Sequence, residues 1–265
     1  MAAPALHVEV HGPAAGPGIA LAHGFGGSAR NWRPQLRALR ARFRVGGYDA
    51  RGPARSAAPE EPEAYRMDAL VADLLRAGEA SGDPRPVLGG LSLGAAVALR
   101  AALAHPERVR ALVLASHPAG PGSGRGVAEH ALAFADAIER DGLEAAGARF
   151  AWGPGSGLDP AGAALVRQGF LEHRPHALAH TLRECLARLE PVEALAEPSS
   201  ALRLPVLVIA GERDLGSLPV SRALAEALPA AELVVIPDAG HVVNLAAPAT
   251  FDAALLGFLA RLEWS

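Results

Sequence analysis

An alternation of short apolar runs with helical patterns limits this chain more than any other feature. The runs Leu6–Val10, Gly18–Ala22, Phe43–Tyr48, Pro86–Gly90, Val109–Ala115, Pro205–Ala210 and Glu232–Ile236 have strand length and strand composition. Ala111–Ala115 and Val206–Ala210 are apolar at every position. Parallel strands covered by helices on both faces read this way. Between the runs lie helical faces: Leu70, Val71, Leu74 and Leu75 ahead of the central run, Ala95–Leu103 after it, then Pro219–Leu228 and Ala249–Leu262. The pattern predicts an α/β fold with a mostly parallel central sheet. One segment breaks it. Helical patterns at Ala128–Arg140, Leu143–Phe150, Ala161–Glu172 and Ala177–Leu189 follow one another, punctuated by Pro118–Gly126 and Gly153–Gly157, with no strand expected among them. The expected organisation is a core of residues 1–117 and 203–265, with residues 118–202 as a helical cap over the strand carboxyl ends, where open α/β sheets bind ligands. In the cap, Phe134, Phe150, Trp152 and Phe170 are expected mostly to pack, with one or two lining a pocket. His130, His173, His176 and His180 are expected on the surface or on helix faces rather than as metal ligands.

Composition narrows the function. At 265 residues the chain can bury about 70–75% of its unfolded surface, enough for a large core. Its net charge of −3 does not suggest nucleic-acid binding, which favours a strongly basic face. One cysteine, Cys185, excludes an internal disulfide and a cysteine zinc site. No apolar run reaches the length of a membrane span, and no Lys or Arg precedes Arg30, so no secretory leader is expected. The chain has no lysine, which rules out Schiff-base and P-loop lysine chemistry. A cytoplasmic enzyme or binding protein is expected, with no metal and no organic cofactor. Oligomeric state is not set by the sequence.

The strongest chemical signal is Gly90-Leu91-Ser92-Leu93-Gly94, which follows an apolar strand and opens a helix rich in Ala, Val and Leu. A Gly-x-Ser-x-Gly pattern in that context reads as a sharp strand-to-helix turn that lifts the Ser hydroxyl above the sheet. The helix amino terminus beneath it favours developing negative charge. A serine hydroxyl needs a base, and His241 follows the last predicted strand in Asp238-Ala239-Gly240-His241. Asp214, after the strand Pro205–Ala210, is the carboxylate expected to orient it. Glu212 on the same loop is a rival, and Asp238 reads better as a strand-ending turn residue. The order Ser92, Asp214, His241 is the order of this arrangement. An oxyanion hole needs two backbone N–H groups. Leu93 supplies one, and Phe25, in His23-Gly24-Phe25-Gly26-Gly27 after an early strand, is the expected second.

These motifs, with Asp49-Ala50-Arg51-Gly52-Pro53-Ala54-Arg55-Ser56, make the chain resemble an α/β-hydrolase of the lid-bearing serine esterase, enol-lactonase and C–C hydrolase group. The resemblance spans nearly the whole chain and is weakest in the cap. It implies an α/β-hydrolase fold with an inserted helical cap, with Ser92, Asp214 and His241 as catalytic residues, and His23, Gly24, Gly90 and Gly94 as motif support. Ala54 stands where relatives usually have a second Gly, and Ala246 where they often have Glu, while Pro248 matches. Family members that hydrolyse haloalkanes or epoxides use an Asp nucleophile, so Ser92 argues against both.

The reaction so implied is hydrolysis of a small-molecule ester, lactone or similar acyl bond through an acyl-enzyme, with activity falling as the histidine base takes up a proton. Cap arginines Arg149, Arg167, Arg174, Arg183 and Arg188 could hold a substrate carboxylate. The same triad would also support a cofactor-free perhydrolase, a thioesterase, an acyltransferase or a C–C bond hydrolase. A hydroxynitrile-type lyase would need polar cap groups not located in the sequence. A reading of another class is a non-catalytic ligand receptor on this fold.

Overall fold

Seven strands form one sheet in the order β1-β3-β2-β4-β5-β6-β7. In this computed structural model residues 4–52, 55–120, 127–153, 158 and 160–264 are described. The strands are β1 Val8–His11, β2 Gly18–Ala22, β3 Arg44–Tyr48, β4 Val87–Leu91, β5 Ala111–Ala115, β6 Val206–Gly211 and β7 Ala231–Ile236. β1 runs antiparallel to β3; every other pairing is parallel. Each predicted run therefore holds a strand, with ends that match or lie within two residues. Pro86 and Pro205 fall just outside β4 and β6, since proline has no N–H to give the ladder.

Side chains alternate across the sheet even where every position is apolar. Ala20, Leu88, Leu112, Leu114 and Val208 pack with α2 (Met67–Glu79), α3 (Leu93–Ala104) and α8 (Ser217–Ala227) on one face. Ile19, Leu21, Val45, Val113 and Ile209 pack with α1 (Arg33–Leu39) and α10 (Pro248–Ala260) on the other. Among the described residues four α-helices run between β5 and β6: α4 Val127–Phe150, α5 Pro160–Leu171, α6 Pro175–Glu184 and α7 Val192–Ser200. The first three share a smaller core of their own around Phe134, Ile138, Phe170, Leu178 and Leu182, while α7 joins the main core beside α8. The two expected helices 128–140 and 143–150 are one run broken at Gly142, where φ is +81°. The helix α7 was not expected from its Pro- and Ser-rich sequence; it holds by burying Val192 and Leu195. A short helix α9 (Val243–Ala246) precedes α10.

The strand order sets where a ligand can sit. The chain passes from β2 to β3 on one side, then returns to β4 on the other. The crevice beyond the carboxyl ends of β2 and β4 is the switch point of the sheet. Here the backbones approach unusually closely. A methyl group on Gly94 would lie 2.3 Å from the Ala22 carbonyl oxygen, and one on Gly90 would lie 2.1 Å from the Gly94 carbonyl carbon. Only glycine allows α3 to enter so near β2 and β4.

Gly94→Ala is therefore expected to lower the unfolding free energy by at least about 1–3 kcal/mol through overpacking; an unchanged thermal midpoint would contradict this contact. Burial also pushes His117 and His173 down to about 4. The unfolded chain takes up these protons near the ordinary value of 6.5, before the folded chain does. Their contribution is thus complete above about pH 6.5 and is lost as pH falls towards 4. The urea midpoint is expected to be lower at pH 5 than at pH 7.5, and equal midpoints would show that the two rings are not held neutral.

Candidate active site

Ser92 sits between β4 and α3 with φ 53° and ψ −118°. A non-glycine residue at positive φ is strained, and local hydrogen bonds hold it there. The Ser92 N–H donates to the Ala115 carbonyl at 2.9 Å, while its own carbonyl accepts from Ala95 and Ala96. The turn therefore points the hydroxyl away from the sheet, as the sequence implied.

Two loops from the far edge bring the partners. His241 lies beyond β7, and its Nε2 accepts from Ser92 Oγ at 2.9 Å. Its Nδ1–H donates to Asp214 Oδ2 at 2.8 Å. Burial raises the Asp214 pKa, but the His241 hydrogen bond and charge and the Ser217 bonds outweigh it, so the carboxyl lies below its ordinary value. Ser217 was not foreseen. Its N–H donates to Asp214 Oδ1 at 3.2 Å and its hydroxyl lies 3.3 Å from His241 Nδ1. Both rivals for the acid are occupied elsewhere. Asp238 is an exposed turn residue at φ 60° paired with Arg213, and Glu212 accepts the Asp238 N–H.

The loop after β2 carries Phe25, the residue expected to give the second donor. His23 is buried, with Nε2 accepting the Ala50 N–H at 2.9 Å. Its proton is therefore on Nδ1, which donates to the Gly24 carbonyl at 2.8 Å. Burial holds the ring below the ordinary imidazole value, keeping it neutral. The Gly24 carbonyl also accepts the Gly27 N–H. In a trans peptide the C=O and N–H point opposite ways. Fixing the Gly24 carbonyl thus turns the Phe25 N–H the other way, and no backbone carbonyl among the described residues takes it. Leu93 opens α3, so its N–H has no partner one turn back in the helix. The neighbouring loop 49–56 braces this one: Asp49 accepts the Ala29 N–H and a two-pronged bond from Arg55. Pro53 and Ala54, where the motif departs, lie outside the described residues.

A cavity of about 290 Å³ opens over Ser92 and His241. Phe25, Phe134, Phe150, Val166 and Leu182 form apolar wall, and His130 and Asn31 add polar edge. Of the four aromatics picked out in the 118–202 segment, Phe134 and Phe150 reach the cavity; Phe170 and Trp152 pack beside it. The five arginines considered for a carboxylate do not line it. Arg167 pairs with Glu144, Arg188 with Glu184, and Arg183 with Asp136 and Glu139. Arg149 lies over the Phe150 ring, and Arg174 precedes α6, its backbone N–H on the Gly52 carbonyl. Exposed acids hold Arg167 and Arg183 away from the cavity. His173 also departs from expectation: it is buried, with Nε2 on the Gly27 carbonyl at 2.9 Å. Its position in the corner before α6, facing a glycine loop distant in sequence, left no periodic signal. Among the described residues no cluster of His, Cys, Asp and Glu could hold a metal ion, and no helix is long and apolar enough to cross a membrane.

The sequence matches the α/β-hydrolase fold family model over residues 18–136. It is 36% identical to the "Putative carbamate hydrolase RutD" of Variovorax paradoxus, with 97% of both chains covered. The Agrobacterium fabrum protein of the same name is 34% identical, with 96% of this chain and 98% of that one covered. Among solved structures, the enol-lactonase from Burkholderia xenovorans superposes with a TM-score of 0.85 at 26% identity, covering 97% of each chain. An esterase from Thermogutta terrifontis gives 0.80 at 28%, covering 97% of this chain and 93% of that one. Similarity of this extent along the whole length, on this sheet, makes the chain a member of the α/β-hydrolase family and a hydrolase enzyme of that fold.

Proposed function

We propose that the protein is a serine hydrolase that cleaves a carboxylic ester, lactone or related acyl bond through an acyl-enzyme. The observation that carries this reading is the unbroken relay from Asp214 through His241 to Ser92, with hydrogen bonds of 2.8 and 2.9 Å. His241 Nε2 removes the Ser92 proton as Oγ attacks the acyl carbon. Asp214 holds the ring by Nδ1–H and stabilises its charged form. The Leu93 and Phe25 N–H groups receive the oxyanion. His241 then passes its proton to the leaving oxygen. It next takes a proton from water, which attacks the acyl-enzyme, and returns that proton to Ser92 Oγ as the bond to the acid product breaks.

The 118–202 segment acts as the cap, and the cavity wall of Phe25, Phe134 and Phe150 favours an apolar acyl group of small to medium size. The names of the relatives extend the candidate bonds to carbamates and enol-lactones. An acyl carbon bearing nitrogen or an enol oxygen needs the same attack and the same oxyanion.

Hydrolysis of p-nitrophenyl esters of graded acyl length, followed beside a p-nitrophenyl carbamate and an enol-lactone, tests the reading. Turnover of at least one class is expected, with an acyl adduct on Ser92 by intact mass. Ser92→Ala should lower kcat by roughly 10⁶; retention of more than a few per cent of the rate would end the assignment. Asp214→Asn should cost about 10⁴ in kcat by leaving the imidazole in the wrong tautomer, and a near-normal rate in that variant would return the role to Glu212 or Asp238.

A further inference from the structure

The corner between α5 and α6 grips the loop that carries one of the two oxyanion donors. We propose that Phe170 and His173 are positioning residues for the Phe25 amide, so that the cap sets the rate of the chemical step as well as access to the site. This rests on the acyl-enzyme reading above.

Three glycines surround Phe25: Gly24, Gly26 and Gly27. Glycine has the largest backbone freedom of any residue, so the direction of the Phe25 N–H must be imposed from outside. On the core side, His23 and the Gly27 N–H fix the Gly24 carbonyl. On the other side the fixing groups come from the corner. Gly26 is at φ +67°, and a methyl group there would meet the Phe170 ring at 2.4 Å. Phe170 therefore lies directly on the bare Gly26 backbone. It also meets the Phe25 ring edge-on at 6.0 Å. His173 donates Nε2–H to the Gly27 carbonyl at 2.9 Å.

The corner is itself anchored. Glu172 pairs with Arg30 at the far end of the loop, and the Arg174 N–H donates to the Gly52 carbonyl at 3.1 Å. Between Gly24 and Arg30 the loop is thus held at Gly26, Gly27 and Arg30 by three residues from one four-residue stretch.

Packing alone does not account for His173. Its Nδ1 is buried with no hydrogen-bond partner among the described residues. Burying an unpartnered ring nitrogen costs free energy that an apolar side chain of similar size avoids. What the imidazole provides that such a side chain cannot is the donor to Gly27.

The experiment compares wild type, His173→Ala, His173→Gln and Phe170→Leu on one neutral p-nitrophenyl ester, with thermal midpoints and Ser92 labelling by a fluorophosphonate. The expected result is a fall in kcat of about 10- to 100-fold for His173→Ala and Phe170→Leu, the scale of a small misplacement of a reacting group. KM should stay within about threefold, since uniform binding is untouched. Labelling should slow in parallel. His173→Gln keeps an N–H donor at similar reach and should recover most of kcat. Phe170→Leu provides the test if His173→Ala does not fold. A wild-type kcat in either folded variant overturns the proposal. So does a raised KM at unchanged kcat, which would make the corner part of the acyl pocket, or a His173→Gln variant no better than a folded His173→Ala. Absence of Ser92-dependent turnover and of Ser92 labelling in wild type itself would instead remove the acyl-enzyme reading, and this inference with it.

Discussion

The turn from β4 into α3 completes a change from strand to helix at a single residue, and this constraint governs the rest of the molecule. Ser92 carries the strain at φ 53°, worth on the order of 1–3 kcal/mol for a non-glycine residue. Its N–H is secured on β5 and its carbonyl on the first turn of α3. The contact of Gly94 with Ala22, and of Gly90 with Gly94, then lets the helix settle against two strands at once. A side chain at either position would push α3 away from the sheet. The hydroxyl would move with it, and so would the Leu93 amide. The position of every other group in the site is measured from that junction.

Loops from the other strands meet the junction through neutral or paired groups. Asp49 ties the loop after β3 to the loop after β2 by accepting the Ala29 N–H. Arg51 is buried in a two-pronged bond to Asp73 and also donates to the Ala64 and Ala69 carbonyls. Removing one partner of such a pair leaves a buried charge uncompensated, which costs far more than the pair itself contributes. Charge is thus used at the base of the loops, where it fixes backbone, while the cavity above is bounded mainly by rings and aliphatic side chains.

The strands were legible because β4, β5 and β6 are short, apolar throughout and bounded by turn residues. The juxtaposition of Ser92, Asp214 and His241 was legible because each follows a strand in a fixed order, so topology alone brings them to one end of the sheet. The segment between β5 and β6 was legible only as helices. Phe134, Leu178 and Leu182 turn inward, but helical periodicity carries nothing about which distant loop a helix end will meet. His173 is the case in point: its partner is a carbonyl 146 positions away, and a backbone oxygen leaves no trace in the identity of Gly27. The arginines misled for a related reason. A cation near a pocket in sequence is drawn outward by acids such as Asp136, Glu139 and Glu144 on the same outer surface. Ser217 was hidden because its contribution begins with a backbone N–H.

His23 has both ring nitrogens committed, one to the Ala50 N–H and one to the Gly24 carbonyl. On the core side of the Phe25 amide, His23 can therefore neither gain nor lose a proton without breaking a buried bond. The two proposed oxyanion donors are themselves amides. On the proposed reading, the side of the site that receives negative charge is made wholly of permanent dipoles. Dissolved ions screen exposed charges effectively and sheltered dipoles poorly. Such a site keeps its electrostatic strength in dilute and concentrated salt alike.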